Sequence, residues 1–317
     1  LYDIMNRFRK ENKSVIFISH DLDEIMEVCD TLTVLRDGKI IRTFEKAEFE
    51  AGAIRASMIG RELQGDYYRS DFQASSQPEV ALDVRNLVYE DRLKGISFQV
   101  HKGEIVGIGG LAHCGMHSLG KVCFGALKPE EGSVTVEDGT IIDSPAIAMK
   151  KRVGYVSKDR DVESLCLNAS IEDNISIAGM SEFAINNFLI LKNREKKYVN
   201  HQIEELSIKC AGRDQSVSQL SGGNKQKVVF GKWIGCGSEI LILDCPTRGV
   251  DIGVKQAMYQ LMVRLKNEGK SILMISEELP ELIGMSDRIL IMKNGEVSAE
   301  FERSETLSDA QIIEYMI

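Results

Sequence analysis

Residues 14–45 of this chain align without a gap to residues 271–302, at an offset of 257. Ser14/Ser271, Ile18/Ile275, Ser19/Ser276, Leu22/Leu279, Glu24/Glu281, Asp30/Asp287, Gly38/Gly295 and Phe44/Phe301 are identical, and the apolar pattern matches at most other positions. The register extends back through Glu11/Glu268, Arg7/Arg264, Met5/Met262 and Tyr2/Tyr259. A match of this length marks a duplicated domain rather than a short repeat array. Leu1 corresponds to Met258 and the second copy opens near Leu82, so the first copy is expected to lack about 176 residues that its twin contains. Residues 1–59 then read as the C-terminal part of a first domain and 82–317 as a second domain. Between them, residues 60–81 are polar, with Ser, Gln and one Pro, and read as a linker. The initial Leu and the helical pattern that follows it agree with a piece of a longer protein.

The second copy predicts an α/β fold. The stretch ALDVRNLVYEDRLKGISFQVHKGE, from Ala81 to Glu104, alternates apolar and polar residues as an antiparallel β layer does. EIVGIGG, ending at Gly110, is a core strand running into a glycine turn. Residues 159–219 are richer in helix formers and predict a helical subdomain. The remainder alternates strand and helix, as a parallel sheet requires. Ile240-Leu241-Ile242-Leu243-Asp244 is a buried parallel strand that delivers Asp244 to the carboxyl edge of that sheet.

Leu220-Ser221-Gly222-Gly223-Asn224-Lys225-Gln226-Lys227 lies twelve residues before that strand. A serine hydroxyl and two bare glycine N–H groups at a helix start favour a phosphate, because the orphan donors and the helix dipole act together. A lone SGG is an ordinary turn. Followed in order by four aliphatics, an Asp and Pro246-Thr247, it resembles the signature segment of the ATP-binding cassette (ABC) ATPases.

The resemblance directs attention to the phosphate loop, whose pattern is G-x-x-x-x-G-K-[ST]. Here it reads Gly110-Leu111-Ala112-His113-Cys114-Gly115-Met116-His117. The outer glycines stand, but His113 takes the place of the internal glycine, Met116 that of the lysine and His117 that of the hydroxyl. A rival register ending Gly120-Lys121-Val122 fails on spacing. The family places a glycine nine residues after the lysine, ahead of a Pro-x-x-Gly turn, and Gly125, Pro129 and Gly132 satisfy this only from Met116. Methionine supplies no cation, which removes a charge-assisted contact worth about 1.5–3 kcal/mol. His113, Cys114 and His117 suggest a metal site only weakly, since no ligand from outside the turn joins them.

Other family positions depart in the same direction. Cys245 replaces the glutamate that follows the Walker aspartate. Lys158 occupies the loop where a glutamine or acidic residue is usual. Glu277 replaces the switch histidine and sets a negative group toward a phosphate. In the first copy, Ile18-Ser19-His20-Asp21 keeps the histidine. Because ABC domains work head to tail, the resemblance implies two unequal sites. One would be closed by Ser221, Gly222, Gly223 and Gln226 against a phosphate loop of the first domain, with His20 as its catalytic switch. The other would use Gly110, Gly115, Cys245 and Glu277, with Asp244 as the Mg²⁺ carboxylate, and is expected not to hydrolyse ATP. Asp251 resembles the residue that communicates between the two sites; otherwise it is a solvent-exposed loop carboxylate.

The GGNKQK segment, the later PTRGVD and Tyr155-Val156-x-x-Asp159-Arg160 resemble the fused double-cassette ATPases of bacterial monosaccharide importers. Those enzymes often retain an arginine at the lysine position, so the erosion here goes further. The resemblance implies ATP and Mg²⁺ as cofactors, transmembrane permease subunits, a separate periplasmic or extracellular sugar-binding protein, a cassette dimer, and a place on the cytoplasmic face of the membrane. Purine-nucleoside importers share the architecture, which leaves the solute open. A formal charge of −9 and a pI near 5.3 argue against nucleic acid as a partner. Seven cysteines without a CxxC pair suggest reduced thiols rather than a disulfide frame or a zinc site. The longest apolar runs fall short of the roughly 18 residues a membrane span needs. Two other readings remain at this stage: a soluble ABC ATPase acting on ribosomes or DNA, and a catalytically dead truncated remnant.

Overall fold

The computed structural model describes residues 2–19, 22–36, 38–59, 67–185 and 189–317. It divides into two compact units, Leu1–Tyr67 with Asp251–Gln256, and Tyr68–Val250 with Ala257–Ile317. Among the described residues, no helix is long and apolar enough to cross a membrane.

The first unit contains helices α1 (Tyr2–Lys10) and α2 (Leu22–Val28), strands β1 (Thr31–Arg36) and β2 (Lys39–Glu45), and helix α3 (Ala51–Ile59). Leu22, Ile25, Leu32, Val34, Phe44 and Ile54 form its core. The hairpin is antiparallel, pairing Thr31 with Glu45, and its register shifts between Val34 and Leu35.

The second unit begins with β3 (Val80–Tyr89), β4 (Leu93–His101), β5 (Ile105–Gly110), α4 (Met116–Cys123), β6 (Glu131–Val136), α5 (Pro145–Lys150) and β7 (Val153–Val156). A helical region follows: α6 (Ile171–Ser176), α7 (Met180–Phe183), the short pair β8 (Ala184–Ile185) and β9 (Leu189–Ile190), α8 (Lys192–Glu205) and α9 (Gly222–Gly235). The chain closes with β10 (Ile240–Asp244), α10 (Ile252–Asn267), β11 (Ser271–Ile275), α11 (Leu279–Met285), β12 (Arg288–Lys293), β13 (Glu296–Glu302) and α12 (Asp309–Met316).

The main sheet has the order β13-β12-β5-β11-β10-β7, parallel except for β13. Every residue of β5, β7, β10 and β11 is buried. That is why these strands read as continuous apolar runs: both faces of a parallel sheet are covered. Strands β4, β3 and β6 form the separate antiparallel layer, and β4 buries Leu93, Ile96, Phe98 and Val100 at mostly alternate positions. The expected α/β fold, with its parallel core, antiparallel layer and helical region, is present.

The repeat is legible in three dimensions. Helix α11 starts and stops at the same offset of 257 from α2, and β12–β13 repeats the β1–β2 register, including its shift, now between Ile291 and Met292. The Arg9–Asp30 ion pair has its counterpart in Lys266–Asp287 at 2.9 Å. The copies differ in one stretch. Ile272, Leu273 and Ile275 of β11 are fully buried between β10 and β5, whereas their counterparts Val15, Ile16 and Ile18 are 44%, 91% and 91% exposed and form no strand. Strand geometry needs ladder partners, and among the described residues no strand includes or pairs with 14–18.

Of the 60–81 segment read as a linker, residues 60–66 lie outside the described residues. The remainder of the segment, from Tyr68, belongs to the second unit. Arg69 is buried, donating to Asp287 at 2.9 Å and to the Met285 carbonyl at 3.1 Å. Asp287 also accepts from Ile105 N at 2.8 Å and Ser75 N at 3.2 Å, so one buried carboxylate ties this segment to the core sheet. The first strand of the unit starts at Val80, two residues ahead of Leu82.

Candidate functional site

Four parallel strands end on the same edge of the sheet, and the loops after them carry most of the residues singled out from the sequence. Strand β5 runs into Leu111–Gly115 and then α4, which begins at Met116. The backbone of this loop takes left-handed turns. Gly115 has φ 104°, and a Cβ there would lie 2.1 Å from the Arg92 carbonyl. His113 takes φ 70°, the left-handed region a glycine would occupy freely. The start of α4 supports the register ending at Met116. Lys121, the lysine of the rival register, lies in the last turn of α4 and pairs with Glu163 at 2.6 Å.

The side chains of this loop serve the protein itself. Met116 is 1% exposed and packs into the core. His117 Nδ1 lies 2.7 Å from Asp244 Oδ1, at the end of β10, and its Nε2 lies 3.4 Å from Glu277 Oε1, after β11. Lys158, after β7, donates to Glu277 Oε1 at 2.7 Å and lies 3.1 Å from His117 Nε2. Tyr155 donates its hydroxyl to Asp244 Oδ2 at 3.2 Å. The Lys158 hydrogen bond holds the Glu277 carboxyl below the usual carboxylate range. Burial pushes the Cys245 thiol up, and the charge of Asp244 adds to it. Burial and the same charge raise the Tyr155 phenol.

This set does not fit a Mg²⁺–nucleotide. Asp244, read from sequence as the Mg²⁺ carboxylate, has both oxygens engaged by His117 and Tyr155. Lys158, the cation in the pocket, is neutralised by Glu277. Mg²⁺ also prefers an octahedral shell of oxygens, and beside the Asp244 carboxylate the cluster sets an imidazole nitrogen and a thiol sulfur.

The signature segment is built differently. Ser221 caps α9, its hydroxyl accepting from Asn224 N at 3.5 Å and Asn224 Nδ2 at 3.0 Å. Ser221 is exposed, Gly222 half-buried and Gly223 buried, so Ser221 and Gly222 are the part of the helix start open to a ligand. Gln226, grouped from sequence with the ATP-contacting residues, is 1% exposed. Its amide donates to the Pro246 carbonyl at 2.7 Å, so it positions a loop from within. Arg160 donates to the carbonyls of Arg248 at 2.6 Å and Gly249 at 3.1 Å, and to Gln226 Oε1 at 3.4 Å. Lys225 pairs with Asp161 at 2.9 Å. Arg160 thus clamps the signature helix to the loop after β10, a role the sequence showed only as part of the Tyr-Val-x-x-Asp-Arg motif. Asp251 accepts from Gly253 N and Val254 N at 3.1 and 3.0 Å, capping the start of α10. His20 lies outside the described residues. His113 is exposed and Cys114 buried, and neither is in the cluster around His117.

Comparison with known proteins agrees with this architecture. The family model described as ABC transporter matches residues 93–248. The ribose import ATP-binding protein RbsA of Clostridium tetani is 37% identical over 318 residues, covering 100% of this chain and 62% of the relative. RbsA of Streptococcus agalactiae is 39% identical over 306 residues, covering 96% of this chain and 61% of the relative. The chain therefore spans about three fifths of the length of the curated relatives it matches. Among solved structures, a nucleotide-free ATP-binding cassette from an ABC transporter superposes with a TM-score of 0.62 at 24% identity, over 75% of this chain and 99% of that one. CbiO1 from Clostridium perfringens, part of an ABC transporter complex, gives a TM-score of 0.61 at 26% identity, over 74% of this chain and 94% of that one. With its parallel core, antiparallel layer, helical region and capped signature helix, the chain belongs to the ATP-binding cassette family.

Proposed function

We propose that this chain is the C-terminal portion of the ATP-binding subunit of a bacterial sugar importer, and that its two cassettes are unequal. Residues 1–59 are the end of a first cassette and 82–317 a second one. The second cassette contributes Ser221, Gly222 and Gly223 to a composite ATP site whose phosphate loop and Mg²⁺ carboxylate belong to the first, with His20 as the switch residue. Its own phosphate loop, from Gly110 to His117, is non-hydrolytic. Asp251 is the residue that communicates between the two sites. The subunit works with transmembrane permease subunits and a separate sugar-binding protein, at the cytoplasmic face of the membrane.

The observation that carries this reading is the contrast within the second unit: an open, capped signature helix beside a phosphate loop filled by His117, Lys158 and Glu277. The similarity to ribose import ATP-binding proteins along the whole chain supplies the transport context. In the bound complex the N–H groups at the start of α9 and the Ser221 hydroxyl donate to nucleotide phosphate. Arg160 and Gln226 keep that helix start fixed, so little reorganisation accompanies binding.

The test is ATP-driven monosaccharide uptake by cells carrying the intact transporter. Gly222→Asp sets a carboxylate against the phosphate and is expected to abolish uptake, whereas Glu277→Ala leaves most of it. Loss with Glu277→Ala and retention with Gly222→Asp would reverse the assignment of the two sites.

A further inference from the structure

We propose that His117, Asp244 and Cys245 form a binding site for a borderline-soft divalent cation, Zn²⁺ by its donor set, at the place where a working cassette would hold Mg²⁺. The inference stands apart from the importer reading, because it rests on these three side chains and their supports alone.

One ligand atom from each residue, an imidazole nitrogen, a carboxylate oxygen and a thiol sulfur, lies within 4.8 Å of the others. Among the described residues this is the one such cluster. Nitrogen, oxygen and sulfur together are the ligands Zn²⁺ takes, and a set that Mg²⁺ avoids. Tetrahedral zinc, with bonds of about 2.0 Å to N and O and about 2.3 Å to S, needs donor separations of roughly 3.3–3.6 Å. The 2.7 Å His117–Asp244 contact must open slightly and the thiol must swing in, both within the reach of a χ rotation.

The ligands sit on rigid elements. His117 is in the first turn of α4, and Asp244 ends the fully buried β10. Cys245 is anchored by its N–H to the Ile275 carbonyl at 2.8 Å. Outer partners are already in place. With Nδ1 on the metal, Nε2–H faces Glu277 Oε1, now 3.4 Å away, and Lys158 holds that carboxylate at 2.7 Å. Tyr155 orients Asp244 through its second oxygen. A carboxylate behind a histidine and a hydroxyl behind a carboxylate are the supports that fix zinc ligands elsewhere.

On binding, the cation replaces the proton between His117 Nδ1 and Asp244 Oδ1. That proton moves to Nε2, and Lys158 turns its hydrogen bond wholly to Glu277. The Cys245 thiol proton leaves to solvent as the S–metal bond forms. Three protein ligands leave a fourth position for water, and the His117 side chain, 28% exposed, gives the route in.

The experiment titrates the full chain with Co²⁺, a spectroscopic stand-in for Zn²⁺, and follows visible and near-ultraviolet absorption. One Co²⁺ per chain is expected, with a thiolate-to-cobalt charge-transfer band that Zn²⁺ abolishes and Mg²⁺ does not. Cys245→Ser should remove the band. His117→Ala and Tyr155→Phe should weaken binding by about tenfold or more, the range for ligands and their outer partners. Cys166→Ser, at an exposed cysteine, should leave it unchanged. If Cys245→Ser does not fold, the half-exposed His117 position still decides the matter. No stoichiometric binding, a band that survives both Cys245→Ser and His117→Ala, or a band lost with Cys166→Ser would overturn the proposal.

Discussion

Helices α4 and α9 of the second unit each start at or beside a glycine, yet the side chains at the two starts are arranged differently. Helix α9 opens on an exposed Ser221 and is held from behind by Arg160 and Gln226. Helix α4 opens on Gly115, then a buried Met116 and a His117 bonded to Asp244. Backbone and side chains have separated at the phosphate loop. Its left-handed turns persist, because the Arg92 carbonyl leaves no room for anything but glycine at 115. The polar side chains around the start of α4 pair with one another, Lys158 with Glu277 and His117 with Asp244. A helix dipole and a glycine turn favour a phosphate, and the side chains around them set the charge it would meet.

The contrast can be broken by substitution, and the largest effect is expected at the filled site. Gly115→Ala places a Cβ 2.1 Å from the Arg92 carbonyl at φ 104° and should destabilise the chain by about 3 kcal/mol, read from urea unfolding. Gly222→Ala meets Arg160 Nη2 and the Gly249 carbonyl at 3.0 Å, a tight contact partly offset by a gain of about 1 kcal/mol in helix propensity, and should cost less than Gly115→Ala. Equal effects would mean that the loop backbone is not the constrained one. Next comes Arg160→Ala, which strips two carbonyls of a charged donor and should cost about 2 kcal/mol. Hydrogen exchange should quicken at the start of α9 and stay unchanged in α4; protection lost in both would show that the two helix starts are coupled. The smallest effect belongs to the cap. Ser221→Ala should lower stability by about 1 kcal/mol and Ser221→Gly by a few tenths, and a larger loss with glycine would show that the hydroxyl is not the capping group.

Local pattern carried much of this into the sequence. The aliphatic run ending at Asp244, the alternation of the β3–β4 layer and the offset of 257 were all legible. The offset reproduced even the bulge between Val34 and Leu35 in β12–β13. Spacing alone set the phosphate-loop register, through Gly125, which takes φ 74° just after α4. Partnerships across the fold were not legible. Nothing near Arg69 in sequence announces Asp287, over two hundred residues away, so the segment read as a linker is partly docked by one buried ion pair. Likewise the Lys158–Glu277 and His117–Asp244 contacts exist only because four strand ends converge. Residues 14–19 show the reverse failure. Their apolar pattern is that of a core strand, but strand structure depends on neighbours that pattern does not provide.

The central claim is that the second cassette's phosphate loop is filled by its own side chains. Isothermal titration of the full chain with Mg²⁺–ATP tests it most directly. The account predicts no saturable binding at millimolar nucleotide, and no change in heat when Glu277→Ala or His117→Ala is used. Stoichiometric binding that is lost on substituting Asp244→Asn would contradict it, because the carboxylate now engaged by His117 and Tyr155 would then be serving the nucleotide.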